Sequence, residues 1–354
     1  MAQFKKIGVL TSGGDAPGMN AAIRAVTRYA IHKNIEVVGI YDGYRGLLEE
    51  RMKQLSERDV SLVINHGGTM LYTSRCDEFK TEAGLQKAVE VCQNYGIDGL
   101  VTIGGDGTFR GANDLYKYGI PCIGIPATID NDVACTDATI GYDTAMNTVL
   151  EMVDKLRDTG ESHARCNVVE VMGRNAGDIA INTAVALGAT AVAVREYTFD
   201  EEYLYKKIID GKKSGKRCFI VIVSEGTGRL FSESLAEQIQ TQTGISTNFA
   251  KLGHIQRGGS PTLSDRLLAS RMGCEAVELL TNGIANKIVC LQRNDITNID
   301  IKYAQIMDKM CNNKIKPGDL DNIEQADIDA MRARVDLRIK YKKSLYDMVD
   351  IISR

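Results

Sequence analysis

The sequence predicts an α/β fold arranged as two similar three-layer domains. Three observations carry this. Short apolar runs of strand length alternate with helix-length segments, most runs end in glycine and polar residues, and 354 residues is about two domains' worth of chain. The 34 glycines against 5 prolines favour many strand-to-helix turns over a proline-rich or disordered chain.

Taken in order, Ile7 to Leu10 reads as a first strand running into Thr11-Ser12-Gly13-Gly14-Asp15-Ala16-Pro17-Gly18 and then the helical stretch AAIRAVTRYAIHK. A strand, a glycine turn and a proline near the first helical turn aim backbone N–H groups at an anion, although a purely structural turn uses the same glycines. The spacing is neither GxGxxG nor GxxxxGK[ST]. Glu36 to Tyr41 is a second strand, DGYRGLL a turn, and Ser56 to Asn65 a helix closed by His66-Gly67-Gly68-Thr69. LYTSRCDEFKTEAG, with Arg75 in its middle, reads as a solvated loop, and Leu85 to Tyr95 as a helix.

The central stretch holds two buried-strand candidates, Leu100 to Ile103 and Cys122 to Ile125. The first runs into Gly104-Gly105-Asp106-Gly107-Thr108 and the second into Pro126-Ala127-Thr128-Ile129-Asp130-Asn131-Asp132. Loops leaving the carboxyl ends of parallel strands share one ligand crevice. Beyond them come an amphipathic helix from Asp143 to Arg157 and strands at Asn167 to Met172, Ala191 to Val194 and Cys218 to Val223. The helix EEYLYKKIIDGKK separates the last two strands. A glycine-rich segment, Leu252 to Pro261, precedes a helix from Leu263 to Leu280 and a strand from Ile288 to Leu291. From Pro317 the chain reads as a helical tail with an apolar stripe of Ile328, Met331, Val335, Ile339, Leu345 and Met348, to be packed on the body or on a neighbouring subunit.

With 44% hydrophobic and 25% charged residues and a net charge of −3, nothing points to nucleic acid or an anionic membrane as partner. No apolar run approaches the length of a membrane span, and the N-terminus lacks a secretory core. Nine scattered cysteines without a CxxC favour reduced thiols in a cytoplasmic setting.

Phosphoryl transfer needs a phosphate cradle, a divalent ion, a carboxylate to take a proton and cations for developing charge. Gly13, Gly14 and the stretch Gly105 to Thr108 supply a cradle of small residues, and Asp106 a hard oxygen ligand for Mg²⁺. Asp130 and Asp132, read as lying on one side of an extended segment, divide base and electrostatic duties. Arg75, Arg165, Arg174 and Arg257 are candidate anion clamps. Singly each is weak; so many strand ends carrying such groups is what argues for a site.

TSGGDAPGMNAAIR, IGGDGT, PATIDND, VVEVMGR and GHIQRGGSP resemble the 6-phosphofructokinase family, in its block order over residues 5 to about 307. The likeness is to the short bacterial ATP-dependent enzymes. It implies Rossmann-like domains with the active site in the cleft between them: 1–140 plus 259–307 for ATP, 141–258 for fructose 6-phosphate, and 308–354 as a C-terminal helical extension. It also implies Mg²⁺, a homotetramer and transfer of the γ-phosphoryl of ATP to the 1-hydroxyl of fructose 6-phosphate. By this resemblance Asp130 is the general base, with Thr128 and Asp132 beside it, and Asp106 binds Mg²⁺. Gly14, Arg75, Cys76, Gly105, Asp106, Gly107 and Thr108 contact ATP, with Arg75 also near the transferring phosphoryl. Thr128, Ile129, Met172, Gly173, Arg174, Glu225, His254, Ile255, Gln256 and Arg257 hold the sugar phosphate, and Arg165 reaches in from a neighbouring subunit.

The donor turns on two positions. Pyrophosphate-using relatives resemble GGDD and PKT at the two loops, where this chain has Gly107 and Ala127. Two departures bear on binding and regulation. Asn248 stands where the family places a second intersubunit arginine, and Lys251 is the nearby cation able to compensate. In the family's effector pocket Arg24, Arg28, Arg157 and Lys216 match, but Glu57, Thr190, Ser214 and Cys218 do not, which weakens that regulation. A pyrophosphate-dependent enzyme and a non-catalytic sugar-phosphate sensor are the competing readings.

Overall fold

The computed structural model describes residues 4–353; the first three residues and Arg354, at the ends of the expected 1–140 and 308–354 segments, lie outside it. The chain begins β1 (Lys6–Ser12), α1 (Met19–His32), β2 (Glu36–Ile40), α2 (Gly43–Leu48), β3 (Met52–Leu55), α3 (Glu82–Asn94), β4 (Gly99–Gly104), α4 (Asp106–Lys117) and β5 (Cys122–Pro126). It continues with α5 (Tyr142–His163), β6 (Cys166–Val171), α6 (Asp178–Leu187), β7 (Ala191–Ala193), α7 (Glu201–Lys213), β8 (Phe219–Ser224), α8 (Phe231–Thr243) and β9 (Thr247–Lys251). Last come α9 (Leu263–Thr281), β10 (Lys287–Gln292), β11 (Asp295–Asp300), α10 (Ile301–Cys311) and α11 (Gln325–Ile352).

These elements fall into two compact units. The first comprises residues up to Ile129, Val133–Thr144 and Arg257–Val335; the second comprises Asp130–Asp132, Ala145–Gln256 and the residues from Asp336 on. The segment expected as one extension, 308–354, is therefore shared, its first part going to the first unit and its last to the second.

The first unit holds a seven-stranded sheet in the order β11-β10-β5-β4-β1-β2-β3, parallel through its middle, with β11 and β3 antiparallel at the edges. Its central strands are buried on both faces, as helix-covered parallel strands must be, and so read as continuous apolar runs. β1 and β4 are neighbours with Ser12 opposite Gly104, and β4 and β5 are neighbours with Gly104 opposite Pro126. Three loops thus leave one sheet end at one level, as the sequence leads one to expect of the last two. The second unit holds a four-stranded, all-parallel sheet, β7-β8-β6-β9. There Val171 on β6 lies opposite Ser224 on β8, so the loops after these strands also start level.

Reading and structure part company in a few places. Gly43–Leu48 is a short helix, not a turn, because Tyr44, Leu47 and Leu48 all bury against the core. Residues 56–65 form successive turns, not a helix. Asp59 accepts from the Ser56 N–H at 2.8 Å and its hydroxyl at 2.6 Å, local bonds that compete with a helical ladder, and Leu62 is left 78% exposed. The strands β3, β9 and β11 give no apolar run because they are largely or half exposed. Along α11 the stripe is carried by Ile328, Met331, Val335 and Val349; Ile339 and Met348 face solvent. None of the nine cysteines, all of them among the described residues, is in a disulfide.

Candidate active site

In the first unit the site is made mostly of backbone. β1 ends at Ser12 and is followed by Gly13, whose φ of +89° only glycine adopts without strain, and whose carbonyl accepts from the Thr73 hydroxyl at 2.7 Å. Gly14 follows; a Cβ on it would lie 2.5 Å from Nη1 of Arg257, which also donates to the Asp15 carbonyl at 3.0 Å. Arg257, expected on the sugar phosphate, therefore lies across the first glycine turn. Arg75 is exposed, and Cys76 is half-buried against the core of this unit.

After β4, Gly105 caps α4, and Asp106 and Gly107 occupy its first turn, where N–H groups are unpartnered by the helix. The Thr108 hydroxyl donates to the Ser12 carbonyl at 2.9 Å, tying this loop to the end of β1, and the Tyr44 hydroxyl donates to the Thr108 carbonyl at 2.6 Å. Burial holds the Tyr44 phenol well above its usual range, so it serves only as a neutral donor. A Cβ added to Gly107 would meet no atom within 4 Å, leaving the space over this turn open to a ligand.

The Asp106 carboxylate forms a two-pronged ion pair with Arg110, one helical turn on. Sequence reading passed over Arg110, although its i,i+4 spacing from Asp106 is visible. The described residues hold no cluster of three or more ligating side chains. A carboxylate in the first turn of α4, beside N–H groups free of the helix, is a donor of the kind that Mg²⁺ takes together with phosphate oxygens.

After β5, Ala127 donates its N–H to the Gly104 carbonyl at 2.9 Å, and the Thr128 carbonyl accepts from the Thr139 hydroxyl at 2.5 Å. Ile129 is fully buried and Thr128 is nearly so.

Asp130 and Asn131 are each 4% exposed, and Asp132 is half-buried. The segment is not extended, as the sequence reading has it. Asn131 sits at φ +50°, the left-handed region that asparagine tolerates better than most residues, so the two flanking aspartates do not follow strand alternation. The Asn131 carbonyl accepts from Arg338 on α11, a contact no sequence pattern announces across 207 residues.

In the second unit, carboxylate and amide side chains hold the loop after β6. Glu225 Oε1 accepts from the N–H of Arg174 at 2.8 Å and of Gly173 at 3.3 Å. Gly173 has φ +142°, and a Cβ there would lie 2.5 Å from the Ala176 carbonyl oxygen; Arg174 has φ +55° and is exposed. Fully buried Gln256 accepts from the Met172 N–H at 2.9 Å, while its neighbours His254 and Ile255 face solvent. Glu225 and Gln256, expected as substrate contacts, thus shape the backbone at Met172 to Arg174. Arg165 is half-exposed in the turn before β6.

Asn248 on β9 is exposed, and Lys251 is ion-paired with the buried Glu170 at 2.7 Å, so its charge is already matched. Of the positions compared with the effector pocket, Thr190, Ser214 and Lys216 line a cavity of about 340 Å³, where the Lys216 ammonium donates to the Ser353 carbonyl at 3.0 Å.

The profile of the phosphofructokinase family matches residues 6–280. ATP-dependent 6-phosphofructokinase 1 of Clostridium perfringens is 52% identical over 301 residues, covering 85% of this chain and 94% of that protein. The ATP-dependent 6-phosphofructokinase of Bacillus pumilus is 50% identical over 306 residues, 86% of this chain and 95% of its own. Among solved structures, phosphofructokinase from Saccharomyces cerevisiae superposes with a TM-score of 0.82 at 32% identity, over 90% of this chain and 47% of that one, so this chain spans about half the yeast chain. A pyrophosphate-dependent phosphofructokinase from Marinobacter aquaeolei, at 21% identity and a TM-score of 0.75 over 84% of this chain and 83% of that one, shares the fold. With the profile spanning most of the chain and half the residues identical to these bacterial proteins, the chain belongs to the phosphofructokinase family.

Proposed function

We propose that Asp130 is the general base in the reaction of this enzyme, an ATP-dependent 6-phosphofructokinase that converts fructose 6-phosphate to fructose 1,6-bisphosphate and ADP in glycolysis. The 1-hydroxyl oxygen of the sugar bonds to the γ-phosphorus, the bond from that phosphorus to the bridging oxygen breaks, and ADP leaves. The hydroxyl proton passes to the Asp130 carboxylate, which burial and the held turn keep in one place. Gly14 and Gly105 to Thr108 receive the ATP phosphates on backbone N–H groups. Asp106 is the residue that would hold Mg²⁺, giving up its ion pair with Arg110. Mg²⁺, when bound, offsets the negative charge of the phosphates. Arg75 and Arg174, both exposed and uncommitted to a carboxylate in any contact described above, meet the transferring group and the sugar phosphate. Met172, Gly173, His254, Ile255 and Arg257 complete the sugar side, with Thr128 and Asp132 beside the base.

The enzyme works in the cytoplasm as a homotetramer, Arg165 completing a neighbouring copy's site. Among the described residues no helix is long and apolar enough to cross a membrane.

The observation that carries the donor assignment is the open space over Gly107: an aspartate there, as in GGDD, would fill and charge the volume that a nucleotide's inner phosphate needs. Purified protein with Mg²⁺ and fructose 6-phosphate is to be assayed with ATP and with pyrophosphate. Turnover with ATP alone is expected, and turnover with pyrophosphate alone would overturn the donor assignment.

A further inference from the structure

We infer that Arg338, on the C-terminal helix α11, is a positioning residue for the carboxylate of Asp130, an inference that rests on Asp130 being the base. It lies outside the stretch 6–280 that the family profile matches. Three observations converge on it.

First, Arg338 donates to the carbonyl of Asn131, the residue between the two site aspartates. That carbonyl belongs to the peptide joining Asn131 to Asp132, so holding it fixes the peptide plane leaving the left-handed residue at φ +50°. An asparagine in that region retains an accessible alternative at negative φ, and switching between the two would swing Asp130 relative to Asp132. Second, the guanidinium is itself held. It lies 3.5 Å from Oδ1 of Asp178, at the first turn of α6, with its side chain only 18% exposed. Third, Asp178 is locked from its other oxygen by Lys342, one turn further along α11 at 2.5 Å, and Lys342 also reaches Glu196 at 3.2 Å. Glu196 in turn accepts from the Gly177 N–H at 2.8 Å, at the cap of α6. Two cations of one helix thus grip two carboxylates, and one of those cations has donors left over for the catalytic turn. A base held within a fraction of an ångström is what a proton transfer requires.

The test compares four full-length proteins: wild type, Arg338→Ala, Arg338→Lys and Lys207→Ala. Arg338→Ala is expected to lower kcat about 10- to 100-fold with little change in KM for either substrate. Arg338→Lys, which keeps a charged donor, should recover most of that loss. Lys207→Ala removes the ion pair that α7 makes to Asp350 of the same helix and touches neither Asp178 nor residues 130–132, so it should lower Tm while kcat stays near wild type. Hydrogen exchange of peptides spanning Thr128 to Asp132 should rise in Arg338→Ala and not in Lys207→Ala. Equal kcat in the two alanine variants, or unchanged exchange in Arg338→Ala, would overturn the inference. A wild type inactive with both phosphoryl donors would instead remove the assigned function, and exchange alone would then decide whether Arg338 holds the turn.

Discussion

The two units solve the same problem, fixing a loop at the carboxyl end of parallel strands, with opposite materials. In the first, Gly13, Gly14, Gly105 and Gly107 present backbone and no side chain, with open space over Gly107, and the fixing bonds come from small hydroxyls: Thr73 on Gly13 and Thr108 on Ser12. In the second, longer side chains reach under the loop and hold its N–H groups, Glu225 beneath Gly173 and Arg174 and Gln256 beneath Met172. Small residues suit a bulky polyanion whose charge is met by N–H groups. Reaching side chains suit a loop that must present one arginine in a left-handed conformation that it would not choose alone.

The sharpest test of this contrast is Asp130→Asn. Loss of a positioned base should cut kcat about 10³-fold while leaving both KM values near wild type. Steady-state rates across a range of both substrates decide it, and a kcat within tenfold of wild type would show that the buried carboxylate of the second unit is scaffold.

Asp265 in the first unit is the scaffold counterpart. It is 2% exposed and accepts from the N–H groups of Gly141 and Thr144 at 2.8 Å and from the Thr144 hydroxyl at 2.5 Å, capping α5 from α9. Burial outweighs these bonds and raises its carboxyl to about 6. A folded-state value above the unfolded one means that the folded protein binds the proton more tightly. The group's contribution to stability is then greatest below about pH 4 and is lost as pH rises through 6, a swing on the order of 2–3 kcal/mol. Denaturant unfolding of wild type and Asp265→Asn across pH 4 to 7 should show the asparagine variant gaining on wild type up to about pH 6 and level above. Parallel curves would mean that this carboxylate stays ionised throughout.

Smaller effects separate the two kinds of loop directly. Glu225→Ala frees two N–H groups, so KM for fructose 6-phosphate should rise about tenfold, with the KM for ATP steady. Gly107→Ala should do the reverse. Its methyl meets no protein atom, and alanine is the better helix former, so stability should hold or rise by up to about 1 kcal/mol while KM for ATP increases a few-fold. If Gly107→Ala left ATP binding untouched, the space over that turn would not belong to the nucleotide.

What could be read from the sequence divides along the same line. The first unit's strands are buried on both faces and its loops are glycine, so both register as local patterns; β1, β4 and β5 and their turns are where the runs put them. The bonds that fix the second unit's loops join residues 51 and 84 apart, and no local pattern encodes them. Asn131 shows the same limit at short range. A polar IDND segment reads as extended by default, and its left-handed turn goes with a carbonyl held by a helix two hundred residues away. The stripe on α11 misled for a related reason. Past Val335, Val349 is the one buried aliphatic residue among the described ones, and the helix is held there largely by charge, through Arg338, Lys342 and Asp350, the last accepting from Lys207 at 2.6 Å, so hydrophobic periodicity stops being the signal.

Because α11 is covalently part of the chain whose turn at residues 130–132 it grips, the Arg338–Asn131 contact is a unimolecular event. Its occupancy does not fall when the protein is diluted, and the helix presents its arginine at an effective concentration on the order of millimolar or above. The exposed stretch 312–318 ahead of α11 is the tether that makes this so. A single proteolytic cut there would leave every contact in place and yet turn the helix into a separate ligand, one whose hold on the turn at residues 130–132 would now depend on how concentrated the protein is.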